Sequence, residues 1–195
     1  FILNSAIVQN KFTSTVDLGI GYANTIFNNL HLNLQIFNGE GYKSPQGDKY
    51  HKVSVNATYG ERKLNKNDGF NAGVVYSTEG TDNKSINMMS LFGGFAGHGL
   101  RIGAEYDMLN DNGEDENVIS ASANYSISNN LDAFVRYDMF DDNATDENGE
   151  NFLVTGIIMN CGNGLSVAPN IQMTTFEDSS EEKEMDYKIN FQFKF

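Results

Sequence analysis

Apolar and polar residues alternate along most of the chain, which is the pattern of β-strands with two different faces. In the segment 100–105, Leu100, Ile102 and Ala104 alternate with polar residues or glycine. The same alternation recurs in segments that begin near residues 16, 30, 53, 70, 119, 131, 165 and 187. Helical periodicity is scarce. The pattern therefore predicts an all-β chain with about eleven strands after residue 12, plus a partial strand in residues 1–9.

The lengths of these strands favour a membrane barrel over a water-soluble sandwich. The predicted strands run for roughly 9–13 residues, whereas a tilted transmembrane strand needs about 9–11 and an ordinary strand about 5–6. Short connectors such as "GHG" and "CGNG" alternate with longer acidic ones such as "NDNGEDEN" and "DDNATDENGEN". Bacterial outer-membrane barrels have short periplasmic turns and long extracellular loops. We therefore predict one antiparallel transmembrane β-barrel domain over residues 1–195, with about 11–12 strands and long acidic extracellular loops.

In such a barrel the apolar face of each strand contacts lipid and the polar face lines a lumen. Segments 85–97 and 150–160 are apolar on both faces, so their facing stays unassigned. Aromatic side chains near the strand ends predict girdles at the two membrane interfaces; they are Tyr22, Tyr59, Tyr76, Tyr106, Tyr125, Tyr137 and Phe193. The predicted pore-lining charges are Arg101, Glu105, Asp107, Asp132, Arg136, Asp138, Lys188 and Lys194.

Two interpretations of these charges remain open. They could create a field in the lumen that biases the passage of ions. They could equally form cross-strand pairs that satisfy charge at the wall. Arg101 and Arg136 are the strongest single candidates for a role in a pore.

Composition excludes several functions. The net charge is -13, with 26 acidic against 13 basic residues, which argues against nucleic acid as a partner. One cysteine, Cys161, cannot form an internal disulfide or a multi-cysteine zinc site. The three histidines show no ligand spacing, and no nucleophile–base pair stands out, so we expect no metal, no cofactor and no enzymatic activity.

The acidic segments 110–117 and 141–150 are rich in the oxygen ligands that calcium prefers. Neither fits the twelve-residue EF-hand pattern, because both are flanked by strands and their acids fall in another register. Solvated extracellular loops are the expected structure, and calcium binding is the alternative. Their acidity would concentrate cations at a pore mouth and repel anions.

Four stretches together resemble the phosphate-selective porin O and P family: "LQIFNGEGY", "LDAFVRYDMFDDN", "GLSVAPNIQMTTFE" and the terminal "YKINFQFKF". The resemblance covers most of residues 15–195. Family members are about twice this length, with some 16 strands, so it implies that this chain is the C-terminal portion of a larger barrel; twelve strands closing alone is the alternative. It also implies that the terminal Phe195 is read by the barrel-assembly machinery, and that a homotrimer forms. Phosphate selectivity is not carried over, because that depends on arginines and lysines that are few here.

We therefore expect a channel in the outer membrane of a Gram-negative bacterium, through which ions and small hydrophilic solutes diffuse passively without anion selectivity. Its expected partners are the lipid bilayer, lipopolysaccharide, the assembly machinery and the solutes themselves. The alternative is a structural or adhesive outer-membrane barrel whose lumen is plugged.

Overall fold

A computed structural model gives the fold. It describes residues 5–13, 17–39, 41, 45, 47, 49–80, 82, 85–111, 113–142, 148–178 and 180–194. These residues contain one short helix, α1 (Ala6–Gln9), and eleven strands. The strands are β1 (Gly19–Ile26), β2 (Leu30–Phe37), β3 (Lys52–Gly60), β4 (Gly69–Gly80), β5 (Ser85–Gly97), β6 (Leu100–Asp111), β7 (Glu114–Ser128), β8 (Leu131–Asp141), β9 (Glu150–Gly162), β10 (Leu165–Phe176) and β11 (Glu184–Phe193).

Each strand pairs antiparallel with the next one in sequence, so that all eleven form a single sheet in the order β1 to β11. The register is continuous except for irregularities at Ser126/Ser128 and at Leu165/Ser166. Within the described residues β1 and β11 pair only with their neighbours, β2 and β10, which leaves the sheet with two edges. The predictions of an all-β, antiparallel chain and of about eleven strands are therefore confirmed.

The two faces of the sheet differ because the side chains of each strand alternate between them. We define the inner face as the one that carries the N-terminal segment, residues 5–12. Ala6 and Phe12 of that segment are buried against Met88, Leu109 and Val118 of the three central strands β5 to β7. The cross-strand register then assigns every other strand position to the inner or the outer face.

The outer face is apolar along its length. Large apolar side chains are exposed there on every strand except β9, including Tyr22, Leu91 and Phe191. By register, the charged outward side chains of the described strands are Asp115 and Asp141. Both lie at the same end of the sheet, near the β6–β7 and β8–β9 connections, and the middle of the outer face is uncharged.

Residues 1–9 were predicted to form a partial strand, and this prediction is wrong for the part that the structure describes. Residues 6–9 form α1, while residues 1–4 lie outside the described part of the chain. The alternation in "FILNSAIVQN" misled because Ala6 and Ile7 belong to a one-turn helix that packs against the inner face, together with Phe12 just beyond it. Packing against the inner face, rather than cross-strand pairing, determines this segment.

The connections confirm short turns at one end. They are residues 27–29, 61–68, 98–99, 129–130 and 163–164. His98–Gly99 and Asn163–Gly164 both have positive φ values, as two-residue hairpin turns require.

At the other end of the sheet the connections are 38–51, 81–84, 112–113, 142–149 and 177–183, so the predicted loop at 110–117 is wrong. Asn110 pairs with Asp115 and Asp111 with Glu114, which shortens this loop to residues 112–113.

The β6–β7 turn allows a test of this hairpin. Gly113 has φ +101, and an L-residue pays about 1–2 kcal/mol in the left-handed region. We expect Gly113→Ala to lower the free energy of unfolding by about 1–2 kcal/mol, measured by urea titration of the refolded protein. The matched control is Gly103→Ala, whose added Cβ meets its nearest atoms at 3.7 and 3.8 Å with no positive φ. An equal effect of the two substitutions would contradict the tight turn.

Candidate functional site

The inner face of β6 to β8 holds a cluster of charged side chains. Arg136 forms a salt bridge with Asp138, and its Nε donates to both carboxylate oxygens at 2.9 Å. Ser120 of the neighbouring strand donates its hydroxyl to Asp138 at 2.6 Å. Asp138 is only 2% exposed, and its buried carboxylate is stabilised by this ion pair and by the hydrogen bond from Ser120. The Arg136–Asp138 salt bridge lies within one strand, so it satisfies charge at the inner face but is not the cross-strand pair that one interpretation expected; the cross-strand contact of Asp138 is the hydrogen bond from Ser120.

Glu105 and Asp107 lie on the same face of β6. The register places Glu105 opposite Ser120 and Asp107 opposite Val118. Asp107 is fully buried, whereas Glu105 is half-buried. Glu105, Asp107, Arg136 and Asp138, four of the eight predicted pore-lining residues, thus occupy one patch of the inner wall.

Of the other four predicted charges, Arg101 lines the cavity that adjoins this patch, and three lie apart. Lys188 belongs to a polar ladder on β10 and β11, where it donates to Gln172 at 2.8 Å and lies 3.0 Å from Asp186. Lys194 follows the last strand and is exposed beside the Asn163–Gly164 turn, with its backbone N–H donating to Gly164. Asp132 lies opposite Ser126 near the other end of β8 from Asp138. The structure does not gather these three into the cluster.

The N-terminal segment covers the cluster from the inner side. Gln9 accepts a hydrogen bond from Arg136 at 3.4 Å. The rings of Phe12 and Phe140 meet edge-to-face, with centroids 6.3 Å apart. The segment is therefore attached both to the charged cluster and to the apolar patch beside it, and it occupies space that a lumen would otherwise fill.

A cavity of about 620 Å³ adjoins the cluster. Its floor is a row of small residues in register, Gly94, Gly103 and Ser122, on three adjacent strands. Phe92 and Phe134 line it on either side of this row, and Ser5 and Ala6 of the N-terminal segment also border it. Because these residues have no side chain or a small one, the row forms a recess in the inner face beneath the N-terminal segment.

The β3–β4 turn borders the other end of this cavity through Leu64 and Asn65. The side chain of Leu64 covers Gly94. A Cβ atom added to Gly94 would lie 2.9 Å from Cδ1 of Leu64. Glu61 organises the turn by accepting the backbone N–H of Lys63 at 2.8 Å, and this hydrogen bond lowers the pKa of Glu61. Asn71 donates to the Glu61 carbonyl at 2.9 Å and joins the turn to β4.

The predicted girdle aromatics all have exposed side chains, between 38% and 63% of their maximal area. Register places them on the outer face, with Tyr22 opposite Leu34 and Tyr137 opposite Leu153, for example. Their assignment to membrane interfaces stays a prediction. Phe195, the predicted assembly signal, lies outside the described residues.

Sequence reasoning missed the apolar patch on the inner face, which includes Val75, Ile86, Met88, Leu109, Val118 and Phe140. The signal was present in segment 85–97, which is apolar on both faces. A barrel with a polar lumen accounts for an apolar outer face but not for an apolar inner face. The second apolar face needed a protein partner, and that partner is the N-terminal segment.

In the part of the chain that the structure describes, no three His, Cys, Asp or Glu side chains are grouped so as to hold a metal ion. No described helix is long and apolar enough to span a bilayer. Cys161 is exposed on β9 and carries a free thiol. Comparison with known protein-family models finds no match, and no curated protein matches the chain at a significant level.

Proposed function

We propose that this chain forms the wall of an outer-membrane channel through which ions and small hydrophilic solutes diffuse passively. The observation that carries the proposal is the outer face, which is apolar on nearly every strand and uncharged except at Asp115 and Asp141. Soluble monomers rarely expose contiguous apolar patches larger than a few hundred Å². A lipid environment accounts for such a surface, because lipid-facing and lumen-facing residues alternate in transmembrane barrels.

Closing this wall by antiparallel pairing needs further strands. In an antiparallel sheet of eleven strands, β1 and β11 run in the same direction. An odd number of additional strands between them restores antiparallel pairing on both sides. We propose that such strands complete the barrel, because open edges expose unpaired backbone groups that a bilayer does not tolerate.

The charges of the inner face favour cations. By register, acidic side chains outnumber basic ones on this face of the described strands: Glu79, Glu105, Asp107, Asp111, Glu114, Glu116, Asp132, Asp138, Glu150, Glu184 and Asp186 against Lys52, Arg101, Arg136 and Lys188. A wall with this excess of negative charge concentrates cations and repels anions. The phosphate-selective porin family that the sequence resembles therefore informs the proposed architecture and not the selectivity.

A second candidate function is a plugged barrel with a structural or adhesive role at the cell surface. One observation favours it: the N-terminal segment lies on the inner face and is anchored through Phe12 and Gln9. We treat this segment as a constriction of the pore, and the tests below distinguish a constriction from a plug.

Reconstituted vesicles test the proposed function. Full-length protein refolded into vesicles that contain a small fluorescent cation should release the dye within seconds to minutes, while vesicles that contain a dextran-linked dye should retain it. Heat-denatured protein at the same ratio to lipid is the control. Vesicles that retain both dyes, despite protein that migrates faster on a gel before heating than after, would contradict the channel and favour the plugged barrel.

A further inference from the structure

Besides Arg136, which is paired with Asp138, the cavity on the inner face is lined by two charged side chains of opposite sign that lie on one strand. Arg101 and Glu105 lie four residues apart on the inner face of β6, on either side of Gly103. Neither side chain forms a hydrogen bond or a salt bridge with the described residues. At about 3.3 Å per residue, their Cα atoms are about 13 Å apart.

The surface between these charges is partly apolar and partly amide-like. Phe92 and Phe134 flank the small-residue floor, and Val154 and Ile158 of β9 extend the apolar lining. Asn71 and Asn124 present carboxamides to the same space. A cavity of about 620 Å³ is within the range of roughly 300–1,000 Å³ that small-molecule sites occupy.

We propose that this cavity binds short peptides of about two to four residues that have free termini and an apolar side chain. The peptide carboxylate pairs with Arg101 and its ammonium group with Glu105. The carboxamides of Asn71 and Asn124 hydrogen-bond the peptide groups, and the apolar side chain lies between Phe92 and Phe134. A peptide of this length spans about 7–14 Å when extended, which is comparable with the distance of about 13 Å between the Cα atoms of Arg101 and Glu105.

A zwitterion fits this site better than a simple anion or cation does. An anion at Arg101 would leave the carboxylate of Glu105 without a salt bridge, and a cation at Glu105 would leave the guanidinium of Arg101 without one. Pairing both charges with one ligand removes both unmatched groups. The inference rests on the proposed function, because the ligand reaches the cavity through the water-filled space that this function assigns to the inner face.

Isothermal titration calorimetry of the full-length protein in detergent tests the proposal, with the tripeptide Ala-Phe-Ala as the probe. The tripeptide should bind saturably. Arg101→Gln should weaken its binding about 10- to 100-fold, as loss of a charge-assisted hydrogen bond does. Glu105→Gln should have a similar effect, while Arg62→Gln, which removes an exposed guanidinium in the β3–β4 turn, should leave binding unchanged.

Peptides with one chemically blocked terminus show which terminus pairs with Arg101 and which pairs with Glu105. The C-terminal amide of the tripeptide should bind more weakly to the unmodified protein and show no further loss with Arg101→Gln. The N-acetyl peptide should behave in the same way toward Glu105→Gln. Gly103→Val is a second variant that leaves both charges in place and should abolish binding, because its side chain enters a recess with space for a Cβ.

Three results would overturn the proposal: no saturable binding of the tripeptide, equal affinity of Arg101→Gln and Arg62→Gln, or undiminished binding to Gly103→Val. Vesicle release separates the two proposals. A protein that releases the cationic dye but does not bind the peptide retains the channel and loses the peptide site. A protein that binds the peptide but releases no dye loses the channel alone.

Discussion

An arginine at the centre of the outer face should destabilise the protein in a bilayer by about 2–4 kcal/mol, and we expect Val135→Arg to show this effect. Val135 lies in the middle of β8, faces outward opposite Ala123 and Thr155, and is 40% exposed. If the outer face contacts hydrocarbon, the guanidinium must be transferred into it or must distort the membrane around it. The measurement is the urea midpoint of protein refolded into vesicles.

The matched control is Asn117→Arg. Asn117 also faces outward, on the neighbouring strand, but it lies at the end of the sheet opposite Asp141. The cost of a charge falls to about 0–1 kcal/mol near the interfaces of a bilayer. In a water-soluble sheet, both substitutions would fall on a solvated surface and change the free energy of unfolding by about 0.5 kcal/mol or less. Two small and equal effects would therefore contradict the lipid-facing assignment.

The second large effect should come from Phe12→Ala, which removes the anchor of the N-terminal segment. Phe12 is 4% exposed and packs against Phe140, and loss of a buried phenylalanine side chain costs about 3–5 kcal/mol. Apart from this ring, the segment is attached through the small side chain of Ala6, through Ile7 and through the Arg136–Gln9 hydrogen bond, so it should detach locally rather than unfold the sheet. We expect faster hydrogen exchange of the α1 amides and a larger single-channel conductance.

Lys11→Ala is the control for this prediction, because Lys11 is exposed and lies outside the buried cluster. It should leave both exchange and conductance unchanged. Fast α1 exchange in Phe12→Ala with an unchanged conductance would show that the segment does not narrow the pore. A channel that opens only in Phe12→Ala would instead favour the plugged barrel.

The regular part of this fold could be predicted from the sequence because two-face alternation determines register in a sheet. The eleven strands, their antiparallel order and the outward facing of Tyr106 and Tyr137 all follow from a period of two. The inner-face position of Arg101, Glu105 and Arg136 follows in the same way. A period of two contains no information about which wall positions meet across the interior.

The remainder depended on contacts that lie far apart in sequence. The Arg136–Gln9 pair spans 127 residues, and local pattern alone could not place α1 over β8. The shortness of the β6–β7 connection was missed for a different reason. The composition of "NDNGEDEN" favoured a loop, although its Asn-Gly pair is a strong two-residue turn signal that allows both strands to continue. The turn preference of the Asn-Gly pair, rather than the acidity of the segment, determines the structure there.

Single-channel recording in a planar bilayer tests the central claim most directly. Purified full-length protein added to one side of the membrane should produce discrete conductance steps. In a potassium chloride gradient, the reversal potential should show a preference for potassium over chloride, as the acidic excess on the inner face predicts. A reversal potential that favours chloride would contradict the electrostatic part of the account. Protein that inserts into the bilayer and gives no steps would contradict the channel itself.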